Sequence, residues 1–430
     1  MRNFWRGLFV CLGSLGAAAT WGQALPVLTA EDAVRIGLQN NYSITLARDE
    51  RDLAAGNRMA GVSPFLPTAD ASVTRSGELE PGSETQTSAG ASVNLQLFNG
   101  FQSWYAYKRL KTEESAAGLR EQIAIEGTLN SILSAYYTVA TQKRQMEALK
   151  DLLAVSRQRA ALAGARLQVG AGSKLEELQS QADLNADSSS MLSQQIALRE
   201  AKVQLNQLLA RNPSEAFDVE DSIPVEPALP VPAWREGLEE HNSTLREARL
   251  QRDISAGLVR EARGGYSPTL SAGLAYRASL DSLSNGGGLK SVTGSDALTY
   301  SVTLSVPLFD GLRTRQNVVG SRIGARRQET LYKQSEEEIR AEFDQAEGRY
   351  ALGLQQIALE EGNLEVARRQ AEAAQERFRV GASSSLEFRD AQQKLLAAQS
   401  RLASARQSAK LAELSLKRLA GTLIAPAEKP

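Results

Sequence analysis

Apolar residues recur at three- and four-residue spacing along most of the chain, the pattern of long amphipathic helices. In two places the period falls to two. Between Pro67 and Phe98, Ala69, Ala71 and Val73 alternate with Asp70, Ser72 and Thr74, and Ala91, Val93, Leu95 and Leu97 alternate with Ser92, Asn94 and Gln96. Between Pro268 and Phe309, Leu270, Ala272, Leu274 and Tyr276 alternate with Ser271, Gly273 and Ala275, and Tyr300, Val302, Leu304, Val306 and Leu308 with Ser301, Thr303 and Ser305. Each region predicts a β-hairpin, over 67–98 and 268–309. The first is tipped by a polar loop at 77–88, the second by a loop around Asn285-Gly-Gly-Gly288 and Gly294. A helix over 29–62, opened by the cap-like Thr29-Ala-Glu-Asp32 and stopped by Pro64 and Pro67, precedes the first hairpin. Polar, helix-forming stretches over 101–168 and 312–379 follow the hairpins. At about 1.5 Å per residue each would run on the order of 100 Å.

The two regions are copies. Arg51-Asp52-Leu53-Ala54-Ala55-Gly56 recurs as Arg252-Asp253-Ile254-Ser255-Ala256-Gly257, and Pro67 as Pro268, at an offset of 201. Beyond the hairpins the offset is 211: Leu97-Phe98-Asn99-Gly100 matches Leu308-Phe309-Asp310-Gly311, and seven of eleven residues agree between 166–176 and 377–387. The ten extra residues of the second copy therefore sit between Pro268 and Phe309. The 68 residues from Phe98 to Arg166, and from Phe309 to Arg377, tolerate no net insertion. They behave as rods of fixed length that turn at Val169-Gly170 and Val380-Gly381. The return leg of the second copy carries a strict heptad of Phe388, Leu395, Leu402, Ala409 and Leu416, with Ala391, Ala398, Ala405, Ala412 and Leu419 three residues after each. That is a left-handed coiled-coil seam. The first copy keeps Leu184, Met191, Leu198 and Leu205 but has Ser180, Asp187 and Gln194 at the other seam positions. The expected plan is a first repeat over 25–210 turning at 169–173, a Pro-rich connector over 211–232, a second repeat over 233–421 turning at 380–384, and a flexible tail over 422–430.

Composition narrows the function classes. With 49 basic and 50 acidic residues the net charge is −1, and no nucleic-acid footprint appears. Arg2 and Arg6 precede an apolar run from Gly7 to Ala19 and then Gly22-Gln23-Ala24, so residues 1–24 read as a signal peptide, with cleavage favoured after Ala24. Cys11, the one cysteine, lies inside that segment, which leaves the mature chain without thiol chemistry. No later run of about 18 apolar residues would cross a bilayer as a helix. His241 reads as a helix-surface residue and cannot form a histidine metal cluster alone. Asn285-Gly-Gly-Gly288 lacks the Lys-Ser/Thr of a phosphate loop. The chain is expected to be no enzyme and to need no cofactor or metal.

Four strands cannot close a barrel, and a small open sheet exposes two edges. Two or three copies would give eight or twelve strands, with apolar residues toward lipid and Ser, Thr, Asn and Gln toward a lumen. The competing reading is a soluble periplasmic coiled-coil adaptor or scaffold whose strands form an ordinary sandwich. Val-Pro-Leu-Phe-Asp-Gly at 306–311 and Arg-x-x-Val-Gly at 166–170 and 377–381, set in the duplicated plan, resemble the TolC-like outer membrane efflux proteins over essentially the whole mature chain. Gln96, standing where the second copy has Pro307, departs from the pattern.

The resemblance implies a mixed, mainly α fold: a long α-helical coiled-coil barrel continuous with a twelve-stranded transmembrane β-barrel, built as a homotrimer in outer membrane lipid. It implies a passive exit duct for small molecules or proteins, docked through a periplasmic adaptor onto a proton-driven or ATP-driven inner-membrane pump, as in tripartite efflux and type I secretion. Pro67, Phe98, Gly100, Pro268, Pro307, Phe309 and Gly311 would then mark the barrel ends. Arg166, Val169, Gly170, Arg377, Val380 and Gly381 would be the adaptor-contacting turns, and Glu387, Asp390 and Glu176 would form acidic rings at the periplasmic aperture. Taken alone, each turn glycine is explained by chain reversal, and the acidic pair by a solvated helix face. Relatives often place an arginine two residues after the second turn glycine and a tyrosine near the turn. Ser383 and Phe378 stand there instead, so the links at the aperture are expected to be fewer or different.

Overall fold

The computed structural model describes residues 26–77, 86–280 and 297–424. The expected signal segment, most of both hairpin loops and the last six residues lie outside them. The order is β1 (Val27–Leu28), α1 (Ala30–Asn40), α2 (Tyr42–Ala60), β2 (Thr68–Ser76), β3 (Gln86–Asn99), α3 (Gln102–Gln168), α4 (Lys174–Leu208), β4 (Asp218–Val219), α5 (Val231–Glu236), α6 (Leu238–His241), α7 (Ser243–Arg263), β5 (Thr269–Leu280), β6 (Ala297–Ser305), α8 (Arg313–Arg379) and α9 (Ser385–Leu419).

The helix expected over 29–62 is two helices. Asn41 Oδ1 accepts from Ser43 N–H at 2.8 Å and caps α2, while its Nδ2 donates to Leu208 O at 2.7 Å. Asn242 repeats the arrangement between α6 and α7, with Leu245 N–H at 3.0 Å and Leu419 O at 2.9 Å. Each break satisfies orphan groups at two helix ends with one buried amide.

The outward rods α3 and α8 are unbroken at 67 residues each. The return is divided: α4 and α9, 35 residues each, pack on the halves nearer the turns, and α2 and α7 on the halves nearer the sheet. Where the return legs meet, Ile132, Tyr136, Val139, Leu205, Leu209 and Phe217 form one core, and Leu245, Phe343, Tyr350, Leu416 and Leu419 its counterpart. The connector is pinned there by parallel pairing of β1 with β4. Thr422 and Leu423, assigned to a flexible tail by the sequence pattern, belong to the fold. Thr422 N–H donates to Lys417 O at 2.9 Å, and Leu423 packs against the first core.

The four long strands form one antiparallel sheet in the order β2-β3-β5-β6. Register sorts its two faces. Ala69, Val93, Leu274 and Tyr300 make one row and Ala71, Ala91, Tyr276 and Leu298 another, while Asp70, Ser92, Ala275 and Thr299 lie between them on the opposite face. The apolar face is uncovered, with Tyr300 86% exposed. Thr68 pairs with Asn94 and its counterpart Thr269 with Ser305, up to Ser76–Gln86 and Arg277–Ala297. The hairpins therefore share a register, and all ten extra residues lie beyond those last pairs. Gln96 also explains itself: β3 runs past it, through a register shift at Leu97, to Asn99. Strand β6 stops at Ser305, two residues before Pro307, which has no N–H to offer a ladder.

The other barrel-end residues frame the sheet. Pro67 and Pro268 immediately precede β2 and β5 after matching 3-10 turns at Ser63–Phe65 and Gly264–Tyr266. Gly100-Phe101 and Gly311-Leu312 each place two successive residues in the left-handed region before a long helix begins. Phe98 pairs with Leu270, and Phe309 lies exposed beyond the end of β6.

Candidate functional site

The turns at the far ends of the rods are built alike. Gly170 (φ 73°) donates its N–H to Leu167 O at 3.0 Å, and Ala171 N–H donates to Arg166 O at 2.8 Å. Gly381 (φ 77°) and Ala382 repeat this on Phe378 O and Arg377 O at 3.2 and 2.8 Å. This doubly bonded termination needs a left-handed residue, which glycine supplies without strain. The return helices then open with a Ser-x-x-Glu box. Ser173 Oγ accepts from Glu176 N–H at 3.1 Å and Ser384 Oγ from Glu387 N–H at 3.2 Å.

Glu176 and Glu387 thus occupy the first helical turn, where a carboxylate meets the positive end of the helix dipole. Each also faces the arginine of its own turn, Arg166–Glu176 at 3.9 Å and Arg377–Glu387 at 4.0 Å. Asp390 pairs with Lys394 at 2.7 Å. The candidate acids and turn arginines therefore have local partners. Glu387 and Asp390 still share one exposed face of α9. Val169, Leu175, Val380 and Leu386 are exposed at the tips, and the space beside both turn glycines is open.

Phe378 links the two hairpins through its ring. It is buried, stacks on Phe388 at 5.2 Å and 18°, and lies 5.4 Å from the Arg166 guanidinium of the other hairpin. Among the described residues Ser383 Oγ donates to Ser384 O alone, at 3.4 Å.

A polar cluster above the tips went unread in the sequence. Arg389 of α9 donates to both carboxylate oxygens of Asp187 on α4 at 2.6 and 3.0 Å and lies 3.6 Å from Asp183. Ser156 of α3 donates to Asp187 at 2.6 Å. Arg159 donates to Asp183 at 2.8 Å and to Ser385 Oγ at 3.1 Å, and its Nε and Nη1 are buried without a partner. A bidentate, largely desolvated pair of this kind joins the two hairpins more firmly than a surface ion pair. The one sequence signal was Asp187 interrupting an apolar seam.

Among the described residues no group of His, Cys, Asp and Glu could hold a metal ion, and no helix is long and apolar enough to cross a membrane.

Comparison with known proteins agrees with this architecture. The family described as outer membrane efflux protein matches residues 34–211 and 234–422, one stretch in each copy. Outer membrane efflux protein BepC of Brucella suis is 23% identical over 417 residues, covering 96% of this chain and 89% of BepC. Protein CyaE of Bordetella pertussis is 24% identical over 339 residues, covering 75% of this chain and 70% of CyaE. The crystal structure of the Campylobacter jejuni CmeC outer membrane channel superposes with a TM-score of 0.80 at 16% identity, over 99% of this chain and 96% of CmeC.

Proposed function

The chain belongs to the outer membrane efflux protein family, and on that footing we propose that three copies assemble into a passive exit duct. Their sheets close a twelve-stranded barrel in the outer membrane, their rods form a tunnel through the periplasm, and residues 1–24 direct export. The observation that carries this reading is the sheet, whose register separates an apolar face, broken only at its far end by Arg75 and Thr87 among the described residues, from a polar one and leaves β2 and β6 as outer strands. An apolar face of this extent is costly in water, and unpaired strand edges are costly in lipid. Closure with neighbouring copies inside a bilayer removes both costs. Energy for transport comes from a partner pump, reached through a periplasmic adaptor that seats on the exposed Val169, Leu175, Val380 and Leu386. Opening the aperture moves the hairpins and must strain the Arg389–Asp187 pair and the Arg166–Phe378 contact.

Mass and shape in mild detergent, after inner and outer membranes are separated, test the assembly. An elongated three-chain particle from the outer membrane is expected. A water-soluble rod of one or two chains would replace the duct with a periplasmic scaffold. At the aperture, the exposed carboxylates of Glu387 and Asp390, repeated in each copy, face the pore and favour cations there, although each also has a basic partner on its own hairpin. Replacing Glu387 and Asp390 by Ala should reduce the cation preference read from reversal potentials in planar bilayers, and an unchanged preference would remove them from the selectivity device.

A further inference from the structure

Beneath the sheet, the outward faces of α3 and α8 pass from apolar, with aromatics on α3, to basic in a way the duct reading does not use. Phe98 lies opposite Leu270 on the apolar sheet face, and its ring meets Phe101 edge-on at 5.2 Å. Phe101 therefore carries that face onto α3. From there the exposed residues are Trp104, Lys108, Lys111 and Ser115, one stripe at alternating spacings of three and four. Lys108 Nζ stands 5.6 Å from the centre of the Trp104 ring. The equivalent stripe on α8 is Leu312, Arg315, Val319, Arg322 and Arg326, all exposed.

The other side of both helices belongs to the polar face. Gln102 and Arg313, equivalent residues, line one cavity with Thr269 and Ser305 of that face. At roughly 100° per residue, Arg315, Arg322 and Arg326 lie about 180–220° around the helix from Arg313.

These charges are unmatched. Residues 313–328 contain five arginines and no Asp or Glu, in a chain whose acids and bases balance. Lower on the same helix, Arg340 alone is within reach of Glu239, Glu336 and Glu337. Among the described residues, none of Lys108, Lys111, Arg315, Arg322 and Arg326 has a carboxylate partner. A helix that met only water at this height would gain from interleaved acids. A band of one sign, joined to an apolar face through an exposed tryptophan, suits a membrane surface.

We propose that Lys108, Lys111, Arg315, Arg322 and Arg326 form a band that binds the anionic headgroups of phospholipids in the leaflet on the helical side of the barrel. The inference rests on the duct reading, which places the sheet in a bilayer. The helix rise ranks the five residues. Arg315 and Lys108 lie about 5–10 Å below Leu312 and Phe101, within side-chain reach of a headgroup. Lys111, Arg322 and Arg326 lie about 15–21 Å below, a Debye length or more away, and act through the weaker surface field.

The test uses the full-length protein in nanodiscs of equimolar phosphatidylglycerol and phosphatidylcholine, with co-retained lipids counted by native mass spectrometry. Phosphatidylglycerol should be retained in preference, by about fivefold for each charge in headgroup contact. Lys108→Gln with Arg315→Gln should bring the ratio near parity. Lys111→Gln, Arg322→Gln and Arg326→Gln together should lower it less, and Arg313→Gln should leave it alone. Lys108→Arg with Arg315→Lys, which keeps the charges, should keep the preference and so separates lost binding from lost folding. Equal retention of both lipids by an embedded, elongated parent protein would overturn the band while leaving the duct standing. Loss of the preference in inorganic phosphate, but not in chloride of equal ionic strength, would overturn it in favour of a free-anion site. A protein that never enters the bilayer would overturn the duct reading itself.

Discussion

The two helical hairpins share a length and a turn but not a seam. In the second, Ala391, Ala398, Ala405 and Ala412 are buried along α9. Gly353 of α8 passes so near α9 that a Cβ built on it would come within 3.0 Å of Ala409 Cβ. In the first hairpin, Gln142 stands at the position of Gly353, and Gln194 Nε2 donates to its O and Oε1 at 3.0 and 2.7 Å. Ser180 Oγ donates back to the carbonyls of Glu176 and Glu177, and Asp187 accepts from Ser156 and Arg389. An alanine seam lets two helices approach and leaves nothing to bond outward. A polar seam, once its groups are satisfied, reaches a third helix, so the first hairpin is the one that ties the pair together near the turns.

The sharpest way to break this comparison is to exchange the chemistry of the equivalent residues Asp187 and Ala398. Ala398→Asp buries a carboxylate where the equivalent of Arg389 is Leu178, and should cost about 3–5 kcal/mol. It should give the largest fall in thermal midpoint followed by circular dichroism. Asp187→Ala leaves Arg389 with Asp183 at 3.6 Å and removes the acceptor of Ser156, at an expected cost of about 3 kcal/mol. Adding Arg389→Leu should recover much of that loss, because an apolar replacement no longer strands a buried charge. Small, equal effects in both hairpins would show that seam chemistry does not distinguish them.

What the sequence disclosed follows the range of the interaction. The alanine–leucine heptad is itself the packing of α9, so it could be read directly. The equal rod lengths and the turn glycines are local features or are fixed by duplication, and they too were legible. Asp187 registers in the sequence only as a gap, since its partner Arg389 lies 202 residues away. Asn41 bonds to Leu208 O, 167 residues on, so the helix expected over 29–62 ran across that break without a sign of it, and Asn242 makes the equivalent bond to Leu419 O. Glu176 and Glu387 stood out as acids, but their capping role is carried by Ser173 and Ser384, three residues before each.

A second contrast inverts a charge where the return legs meet. Glu413 of α9 is fully buried and accepts from Lys410 Nζ at 2.8 Å, Lys417 Nζ at 2.9 Å and Glu226 N–H at 3.1 Å, which fixes the connector. Its counterpart on α4 is Lys202, whose Nζ donates to Phe217 O at 2.6 Å. Burial pushes the Glu413 carboxyl upward, but the two lysines and the amide outweigh it and hold its pKa below the usual 4.5. Burial lowers the Lys202 ammonium from 10.5 against the pull of Asp218. Both groups bind fewer protons folded than unfolded, but in different windows. Stabilisation from Glu413 is complete above pH 4.5 and is lost as pH falls through its lower folded value, whereas the Lys202 contribution rises as pH climbs toward 10.5. Glu413→Gln should flatten the acid limb of midpoint against pH, and Lys202→Met only the alkaline limb. An acid limb as steep in Glu413→Gln as in the parent would assign the acid loss to other carboxylates.

The smallest contrast lies where α4 and α9 end. Both close in the doubly bonded left-handed turn seen at the tips. Gly421 (φ 69°) and Thr422 donate to Arg418 O and Lys417 O at 3.1 and 2.9 Å, and Ala210 (φ 51°) and Arg211 donate to Gln207 O and Asn206 O at 3.1 and 2.9 Å. The left-handed conformation costs an alanine about 1–2 kcal/mol, while glycine gives back roughly 0.5–1 kcal/mol through its freer unfolded chain. Ala210→Gly should therefore stabilise by no more than about 1.5 kcal/mol and raise the midpoint by no more than about 3 °C. Gly421→Ala is not its reverse, because a Cβ there would lie 2.5 Å from His241 O, so steric conflict adds to the backbone strain. Its loss should exceed the gain at 210. A lower midpoint for Ala210→Gly would mean that contacts of the Ala210 methyl outweigh the strain, and that the first copy has adapted to the residue it carries.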